Sequence, residues 1–273
     1  MIYILKNKFI ELSVNSDGGS MTSLKYLGEE RLWQGGEFWN SQDVVIFPVV
    51  GHAGEYEAEG KVFQPKSHGV ARYSEFALAD IGIDKLTLEL TSNAVTRQYY
   101  PYDFDLLLTY AIKKNTVKVT YTVRAKKGVI PFYVGGHPGM VAPGGEAVIE
   151  FENTENPLTF PVDGGEPVKI GPVKRFIANK QFFKECKTFQ LASLSGGSVS
   201  AVTRDGYRYT YKSDCPVYAF WSNENGGDYI CVEPWWGLND YEGAPKKLEE
   251  KPFINTADEK GKSFTYSLTV EKD

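Results

Sequence analysis

The segment TVKVTYTVRA, residues 116–125, alternates β-branched or apolar side chains with polar ones. A period of two is typical of a strand with one buried face. The same alternation, or a run of β-branched and aromatic residues, recurs in KLTLELTS, FDLLLTYAI, AVIEFEN and KSFTYSLTVEKD. These segments lie throughout the chain, so we expect an all-β protein.

Turn signals separate these segments at short intervals. The stretch VTRDGYRYTY places two strand arms around Asp205-Gly206, a strong hairpin signal. The 27 glycines and 14 prolines divide the chain further, and no long amphipathic helix is evident. The stretch NKQFFKECKTF is predicted to hold one or two helical turns. Because no linker or repeat divides the chain, we expect a single domain over residues 1–273, built as a large antiparallel β-sandwich.

Composition argues against several classes of partner. The net charge is −5 and no block of like charges stands out, so nucleic acid is not an expected partner. The apolar run DVVIFPVVG is too short to cross a bilayer, and the N-terminus, with Lys6 and Lys8, does not resemble a signal peptide. The three cysteines lack CxxC spacing and are expected to be reduced thiols. We therefore expect a cytoplasmic protein with no membrane partner.

The stretch PFYVGGHPGM, residues 131–140, holds one of only three histidines, His137. A residue before proline is restricted to extended conformations, and Pro138 cannot donate to a neighbouring strand. We therefore expect the strand to end at His137. Gly135 and Gly136 allow another group to approach the backbone closely. A lone histidine is equally compatible with a core residue that is satisfied by a carbonyl group.

A similar construction recurs in DYICVEPWWG, where the apolar residues 229–232 lead into Glu233-Pro234. A carboxylate at the end of an apolar strand is expensive to bury, so it is either paired or functional. The adjacent Trp235 and Trp236 favour function, because proteins grip sugars with flat apolar rings and a few polar groups. Alternatively, Glu233 lies at a solvated strand end while the tryptophans fill the core.

The remaining two histidines lie in glycine-containing turns. His68 precedes Gly69 and lies four residues before Arg72, whereas His52 lies in FPVVGHAGEY. Without further information, His68 and His52 are compatible with loop positions, and Arg72 is compatible with a surface ion pair.

His137 and Glu233 would suit general acid/base catalysis. The useful state at neutral pH is an ionised Glu233 beside a protonated His137. Such a pair could open a cyclic hemiacetal, since a base takes the anomeric hydroxyl proton while an acid protonates the ring oxygen. A zinc site of three histidines remains open, although no HxH or HExxH spacing supports it. A pair of glycosidase carboxylates, Glu233 with Asp240, is also conceivable.

Several motifs in order carry a resemblance to a known family. The series FP…G, HGVAR…F, YPYDFDLLLTY, PFYVGGHPGM and FWSNENGGDYICVEPWWG resembles the aldose 1-epimerases, or galactose mutarotases, and in particular their LacX-like branch. The resemblance covers the chain from about Trp33 to the C-terminus. It implies one supersandwich domain, a site on the concave face of a sheet, a sugar substrate and no cofactor or metal.

The resemblance also implies roles for individual residues. His137 would be the general acid and Glu233 the general base, while His68 would bind the sugar and Arg72 would orient it or support the site. The family usually has an arginine at the position that His52 occupies here. It also uses an aspartate on a sugar hydroxyl, for which Asp163 and Asp205 are the candidates.

The function that we expect is the cofactor-free interconversion of the α and β anomers of a hexose. Alternatives are a non-catalytic carbohydrate-binding sandwich and a hexose-6-phosphate 1-epimerase. Phosphate recognition needs basic side chains, and the candidates are Arg72 and Arg97. Neither belongs to a visible cluster, so a neutral sugar is preferred.

Overall fold

The computed structural model describes residues 1–162, 166–241 and 243–272, and β-strands are its main element. Asp163 therefore lies outside the described residues. The strands are β1 (Ile2–Lys6), β2 (Ile10–Asn15), β3 (Met21–Tyr26), β4 (Glu29–Glu30), β5 (Val45–Ile46), β6 (Tyr56–Ala58), β7 (Lys61–Phe63), β8 (Ala77–Ile81), β9 (Lys85–Thr91), β10 (Phe104–Lys113), β11 (Thr116–Ala125), β12 (Ile130–Phe132), β13 (Val134–Gly136), β14 (Gly139–Val141), β15 (Ala147–Glu155), β16 (Leu158–Thr159), β17 (Val168–Lys169), β18 (Val173–Ala178), β19 (Phe189–Ala192), β20 (Ser198–Thr203), β21 (Tyr207–Ser213), β22 (Val217–Trp221), β23 (Tyr229–Trp236), β24 (Asn255–Ala257) and β25 (Lys262–Lys272). The helical segments are α1 (Lys180–Cys186) and the 3₁₀ turns Ala71–Tyr73, Thr96–Gln98, Pro143–Gly145 and Leu248–Glu250.

Two large sheets dominate the described part of the chain. One has nine strands in the order β18-β15-β20-β21-β25-β11-β10-β9-β8. The other has eight, in the order β17-β16-β19-β22-β23-β13-β5, with β14 also paired to β23. Neighbouring strands in both sheets run antiparallel. Smaller sheets are formed by β1-β2-β3-β4, by β12-β24 and by β6-β7.

The hairpin of β10 and β11 confirms the predicted alternation. Its register runs without a shift from Phe104↔Ala125 to Lys113↔Thr116. Apolar side chains of β11 such as Val119 are buried, and the intervening Thr120 hydrogen-bonds Thr265 of β25 at 2.9 Å on the other face. The hairpin predicted at Asp205-Gly206 is also present, between β20 and β21.

The two large sheets pack face to face through aromatic side chains. Trp236 of β23 contacts Tyr121 of β11 and Phe264 of β25, with ring centroids 6.5 and 5.4 Å apart. Farther along, Phe220 of β22 meets Phe151 of β15 at 6.4 Å. These contacts cross from one sheet to the other, which confirms the predicted antiparallel β-sandwich.

The short helix α1 lies in the stretch where one or two turns were predicted. Its N-cap is Asn179, whose side-chain oxygen accepts a hydrogen bond from the Phe182 N–H at 3.0 Å. Phe183 is buried and fixes the helix against the core. Within the described ranges, no helix is long and apolar enough to cross a membrane.

Candidate active site

His137 and Glu233 lie opposite each other in the eight-stranded sheet. The register on either side is the same, with Gly135 paired to Trp235 and Gly139 paired to Cys231. Continued across the gap, this register sets His137 directly across from Glu233, so the two side chains share one face of the sheet. His137 Nε2 is 3.4 Å from Glu233 Oε2.

Two prolines open the ladder at this point. Pro138 and Pro234 have no N–H to donate. As predicted, the strand stops before His137, because β13 ends at Gly136 and β14 starts at Gly139. The expectation that the other strand ends at Glu233 is wrong. β23 continues to Trp236, because its other edge remains paired with β22 from Val217↔Trp235 to Trp221↔Cys231.

Small residues make room around the pair. Ala219 of β22 lies across from Glu233 on its other side. Gly136 lets the strand rest against the opposite sheet, since a Cβ there would be 2.8 Å from the Tyr121 hydroxyl oxygen. The predicted close approach at the glycine pair is therefore confirmed, and its partner is a core tyrosine.

Aromatic rings enclose the His137 imidazole. Trp39 stacks on it with centroids 5.2 Å apart and an interplanar angle of 23°. Trp221 and His68 meet it edge-on at 5.5 and 5.3 Å. The ring is thereby confined to a narrow range of orientations, and its side chain is only 8% exposed.

His68 owes its position to an unusual backbone conformation. His68 and Gly69 both have positive φ, at 60° and 82°. A Cβ at Gly69 would lie 2.1 Å from the Phe47 carbonyl oxygen, so only glycine fits there. The Gly51 N–H donates to His68 Nδ1 at 3.2 Å, which assigns the proton of the neutral ring to Nε2. Burial lowers the pKa of His68 well below its usual value, and the positive charge of His137, when present, would lower it further.

Burial acts on the protonation of the central pair. Burial lowers the pKa of His137 to about 3, with a further contribution from the Arg72 guanidinium. Burial also raises the pKa of Glu233 well above its ordinary range. Burial therefore opposes both charges of the ion pair expected from the sequence. The physical reason is desolvation, which penalises both charges.

Asp43 is a buried carboxyl group that holds the backbone of this region. It accepts hydrogen bonds from the N–H groups of Met21 at 3.2 Å and Val44 at 2.8 Å, and the backbone N–H of His137 is near it. Burial raises its pKa to about 6. Asp43 thus ties β3 to the segment before β5.

The pair lies in a cavity of about 660 Å³. The cavity is lined by predicted site residues from separate parts of the chain, which are His52, His68, Arg72, His137, Glu233 and Trp235. Of these, His52 is exposed, so it belongs to the rim. Further lining residues include Trp39, Lys187, Trp221, Asn239 and Asp240.

Trp235 and Trp236 point to opposite sides of β23. Trp235 lines the cavity, whereas Trp236 lies outside it and packs in the core between the sheets. The indole N–H of Trp236 donates instead to Asp214 at 3.3 Å. The prediction of a sugar contact at Trp236 therefore does not fit its position, because successive residues of a strand face opposite ways.

The basic residues considered for phosphate recognition are separated. Arg72 lines the cavity and donates to the Ser41 hydroxyl at 3.3 Å. Arg97 is outside the cavity wall and pairs with Asp103 at 2.5 Å. A second cation at the cavity is Lys187, which was not identified from the sequence and which pairs with Glu224 at 3.2 Å.

The aspartate candidates are also separated. Asp205 lies at the β20–β21 turn beside Arg31, 3.4 Å away, and does not line the cavity. Asp163 lies outside the described residues. Asp240 does line the cavity, and it is paired with Lys251 at 2.5 Å.

Several buried polar atoms at the floor of this cavity have no hydrogen-bond partner among the described residues. They are both carboxyl oxygens of Glu233, Nδ1 of His137, Nε1 of Trp235 and Oδ1 of Asn239. The Trp235 N–H approaches the Glu233 carboxyl group without the alignment of a hydrogen bond. Unpaired buried polar groups are costly, so their presence on residues that line one cavity marks it as a candidate ligand site.

Comparison with known proteins identifies similar sequences. A sequence model of the aldose 1-epimerase family matches residues 1–159. The chromosomal and plasmid LacX proteins of Lactococcus lactis are each 27% identical to the chain over 92% of its length and 92% of theirs.

Solved structures are similar over nearly the whole chain. A galactose mutarotase related enzyme from Lactobacillus acidophilus superposes with a TM-score of 0.92 and 25% identity, covering 100% of this chain and 98% of that one. A galactose mutarotase-like protein from Lactobacillus casei has a TM-score of 0.91 and 22% identity, covering 99% and 100%. A galactose 1-epimerase from Lactobacillus acidophilus shares the fold, with a TM-score of 0.76, 12% identity and coverage of 98% and 93%.

Proposed function

The chain belongs to the aldose 1-epimerase family, and from that premise we propose that it interconverts the α and β anomers of a hexose without a cofactor. The observation that carries the proposal is the placement of His137 across from Glu233, 3.4 Å apart, at the floor of a cavity with unpaired polar atoms. This pair can exchange protons with a sugar, and no other reactant is needed.

The proposed reaction has balanced proton transfers. Glu233 takes the proton of the anomeric hydroxyl while His137 gives a proton to the ring oxygen, and the C1–O5 bond breaks to leave an aldehyde. Rotation about the C1–C2 bond presents the other face of the carbonyl group. The two proton transfers then run in reverse and close the ring as the other anomer.

The pKa shifts fit this cycle. An ionised Glu233 beside a protonated His137 holds as many protons as the neutral pair does, so the two states are related by moving one proton. Ring opening converts the charged pair into the neutral one. Burial, which raises the pKa of Glu233 and lowers that of His137, therefore favours the protonation state reached after ring opening.

The remaining cavity residues are proposed to hold the sugar. The Nε2–H of His68 is a donor because its Nδ1 already accepts from Gly51. Arg72 and His52 supply donors from the wall and rim, and Trp235 supplies an indole edge. Trp236 is not included, because it packs in the core.

A neutral hexose is proposed over a hexose phosphate. Arg97 lies outside the cavity, and the cations at its wall already have partners: Arg72 contacts Ser41 and Lys187 pairs with Glu224. Phosphate sites usually present basic side chains in a convergent arrangement. A hexose 6-phosphate would need Lys187 to leave Glu224.

The second candidate is a carbohydrate-binding protein that does not turn its ligand over. It rests on the same unpaired polar atoms, which would then serve only as hydrogen-bond partners. Polarimetry on freshly dissolved α-glucose, α-galactose and glucose 6-phosphate, with and without protein, tests both. Faster anomerisation of a neutral hexose supports the proposal, and binding without acceleration supports the second candidate. A rate that is lost on dialysis against a chelator and restored by zinc would contradict the cofactor-free mechanism.

A further inference from the structure

Cys231 is a buried thiol beside the His137–Glu233 pair. It lies two residues before Glu233 on β23, so its side chain is on the same face of the sheet. His137, Cys231 and Glu233 each offer one potential metal-ligand atom, and these three atoms all lie within 4.8 Å of one another. Among the described residues, this is the group of three His, Cys, Asp or Glu side chains that could hold one metal ion. It contains one histidine, whereas the zinc site considered from the sequence had three.

We propose that His137, Cys231 and Glu233 form a binding site for a thiophilic divalent cation such as Zn²⁺, and that the bound ion inhibits by occupying the acid/base pair. The ligand set of one sulfur, one nitrogen and one oxygen is one that Zn²⁺ accepts. Three protein ligands leave a fourth coordination position for water or another ligand.

The distances suit a tetrahedral ion. Zinc bonds to nitrogen and oxygen are about 2.0–2.2 Å, which puts two ligand atoms of a tetrahedron about 3.4 Å apart. The separation of His137 Nε2 and Glu233 Oε2 is 3.4 Å. The Cys231 sulfur lies within 4.8 Å of the other two ligand atoms, and rotation about χ1 can bring it closer to the ion, to which a Zn–S bond is about 2.3 Å long.

Charge and unpaired atoms favour the ion. Both carboxyl oxygens of Glu233 are buried without a hydrogen-bond partner in the described structure. A thiolate and a carboxylate would neutralise a divalent cation, so the buried complex would carry no net charge. The sulfur also selects softer ions over Mg²⁺ and Ca²⁺, which prefer oxygen ligands.

Binding would block catalysis directly. The ion would take the lone pair of His137 and the oxygens of Glu233, which are the atoms proposed to move protons. A chelator should therefore leave the rate of metal-free protein unchanged and should restore the rate of zinc-treated protein.

Cadmium provides a test that does not depend on turnover. Chelator-stripped full-length protein titrated with Cd²⁺ should develop the ultraviolet sulfur-to-cadmium charge-transfer band with one equivalent, and calorimetry with Zn²⁺ should give the same stoichiometry. Cys231→Ser should lose the band and bind Zn²⁺ at least about 100-fold more weakly. Substituting a residue that only supports a metal ligand lowers metal affinity by up to about 100-fold, and loss of a direct ligand should cost at least as much. Cys186→Ser, on α1 outside the group, should keep both.

The contrary outcomes are distinct. No saturable band in the wild-type protein, a band that persists in Cys231→Ser, or a band that disappears in Cys186→Ser would each overturn the proposed site. Should Cys231→Ser not fold by circular dichroism, Glu233→Gln takes its place, and an unchanged Zn²⁺ affinity there would overturn it equally. Zinc inhibition of anomerisation rests on the proposed function, whereas the cadmium band and calorimetry do not, so failure of one is distinguishable from failure of the other.

Discussion

Two regions of this molecule pair their strands antiparallel in a constant register, but one ladder is continuous and the other is interrupted. The β10–β11 hairpin keeps an unbroken register from Phe104↔Ala125 to Lys113↔Thr116. The pairing of β13 and β14 with β23 keeps one register too, but it is interrupted where His137 and Pro138 face Glu233 and Val232. A continuous ladder satisfies its backbone and fills its core face, whereas an interrupted one leaves two fixed polar side chains facing a cavity.

The largest effect is expected at the interrupted pair. Glu233→Gln keeps the shape but removes the base, so turnover should fall by about 10²–10⁴-fold, the usual contribution of one positioned proton-transfer group. Sugar binding should stay within about tenfold, because His68, Arg72 and Trp235 still line the cavity. NMR anomer exchange and calorimetry measure the two quantities on one sample. Exchange at the wild-type rate would remove Glu233 from the mechanism.

The continuous ladder should respond in stability rather than in rate. Leu106 of β10 is fully buried, so Leu106→Ala should lower the free energy of unfolding by about 2–5 kcal/mol. Turnover per folded molecule should not change, since Leu106 is absent from the cavity wall. Chemical denaturation measures the free energy of unfolding, and kinetics normalised to the concentration of folded protein measure turnover. A drop in rate without a loss of stability would break the comparison.

Two glycines with positive φ allow a matched test of the His68 turn. A Cβ added at Gly69 would lie 2.1 Å from the Phe47 carbonyl oxygen, whereas a Cβ added at Gly60 would have nothing within 4 Å. Both alanine variants are destabilised by the left-handed φ, by about 1–2 kcal/mol, and Gly69→Ala adds about 1–3 kcal/mol of overpacking. Gly69→Ala should also raise KM, because it displaces His68. Denaturant unfolding of both variants measures the difference, and equal stability losses would contradict the steric explanation.

Trp235 and Trp236 differ only in the face of β23 that they occupy. Trp235→Phe should raise KM, by about tenfold at most, because it removes an indole N–H at the cavity floor. Trp236→Phe should leave KM unchanged and lower stability by about 1–3 kcal/mol through a core cavity. Steady-state kinetics and thermal unfolding of both variants measure KM and stability. A raised KM in Trp236→Phe together with an unchanged KM in Trp235→Phe would contradict the assignment of the two side chains to opposite faces.

The smallest effect concerns pH and Asp43. Its pKa of about 6 lies above the ordinary value of 3.8, so between those values the folded protein binds a proton that the unfolded chain does not. Asp43 therefore stabilises the folded protein at low pH, and this stabilisation is lost as pH rises through 6. The free energy of unfolding should fall by at most about 1.4 kcal/mol per pH unit.

His137 has the opposite sign, because its pKa is lowered to about 3. The test is therefore the difference in unfolding free energy between wild type and Asp43→Asn, in which the contribution of His137 cancels. This difference should fall from pH 4 to pH 6. A difference that is independent of pH would show that Asp43 does not titrate in this range.

The residues that sequence predicted correctly carry local signals. His137 and Glu233 each precede a proline that restricts the backbone, His68 precedes a glycine that permits a positive φ, and all three line the cavity. Strand alternation predicted the sandwich because the period of two is also a local signal, which each strand segment carries in its own sequence.

The residues that sequence missed depend on distant pairing. Trp39 stacks on His137 because its loop is held near β14, where the Gly139 N–H donates to the Gln42 carbonyl at 2.9 Å. Trp221 likewise reaches His137 from another strand, and although it stands in one of the quoted motifs, nothing there indicated that it would contact His137. The desolvation of the pair could not be predicted from the sequence, because it is a property of the packed cavity. Trp236 is different, since the alternation of β23 already separates it from Trp235.

The most direct test of the central claim is a double-mutant cycle on the interrupted ladder. Anomer exchange of a neutral hexose is measured by NMR for wild type, His137→Asn, Glu233→Gln and the double variant, each checked for fold. If the two groups act as one acid/base unit, each single variant should lose about 10²–10⁴-fold and the double should be little slower than either. Losses that multiply in the double variant, or a single variant at the wild-type rate, would contradict the account.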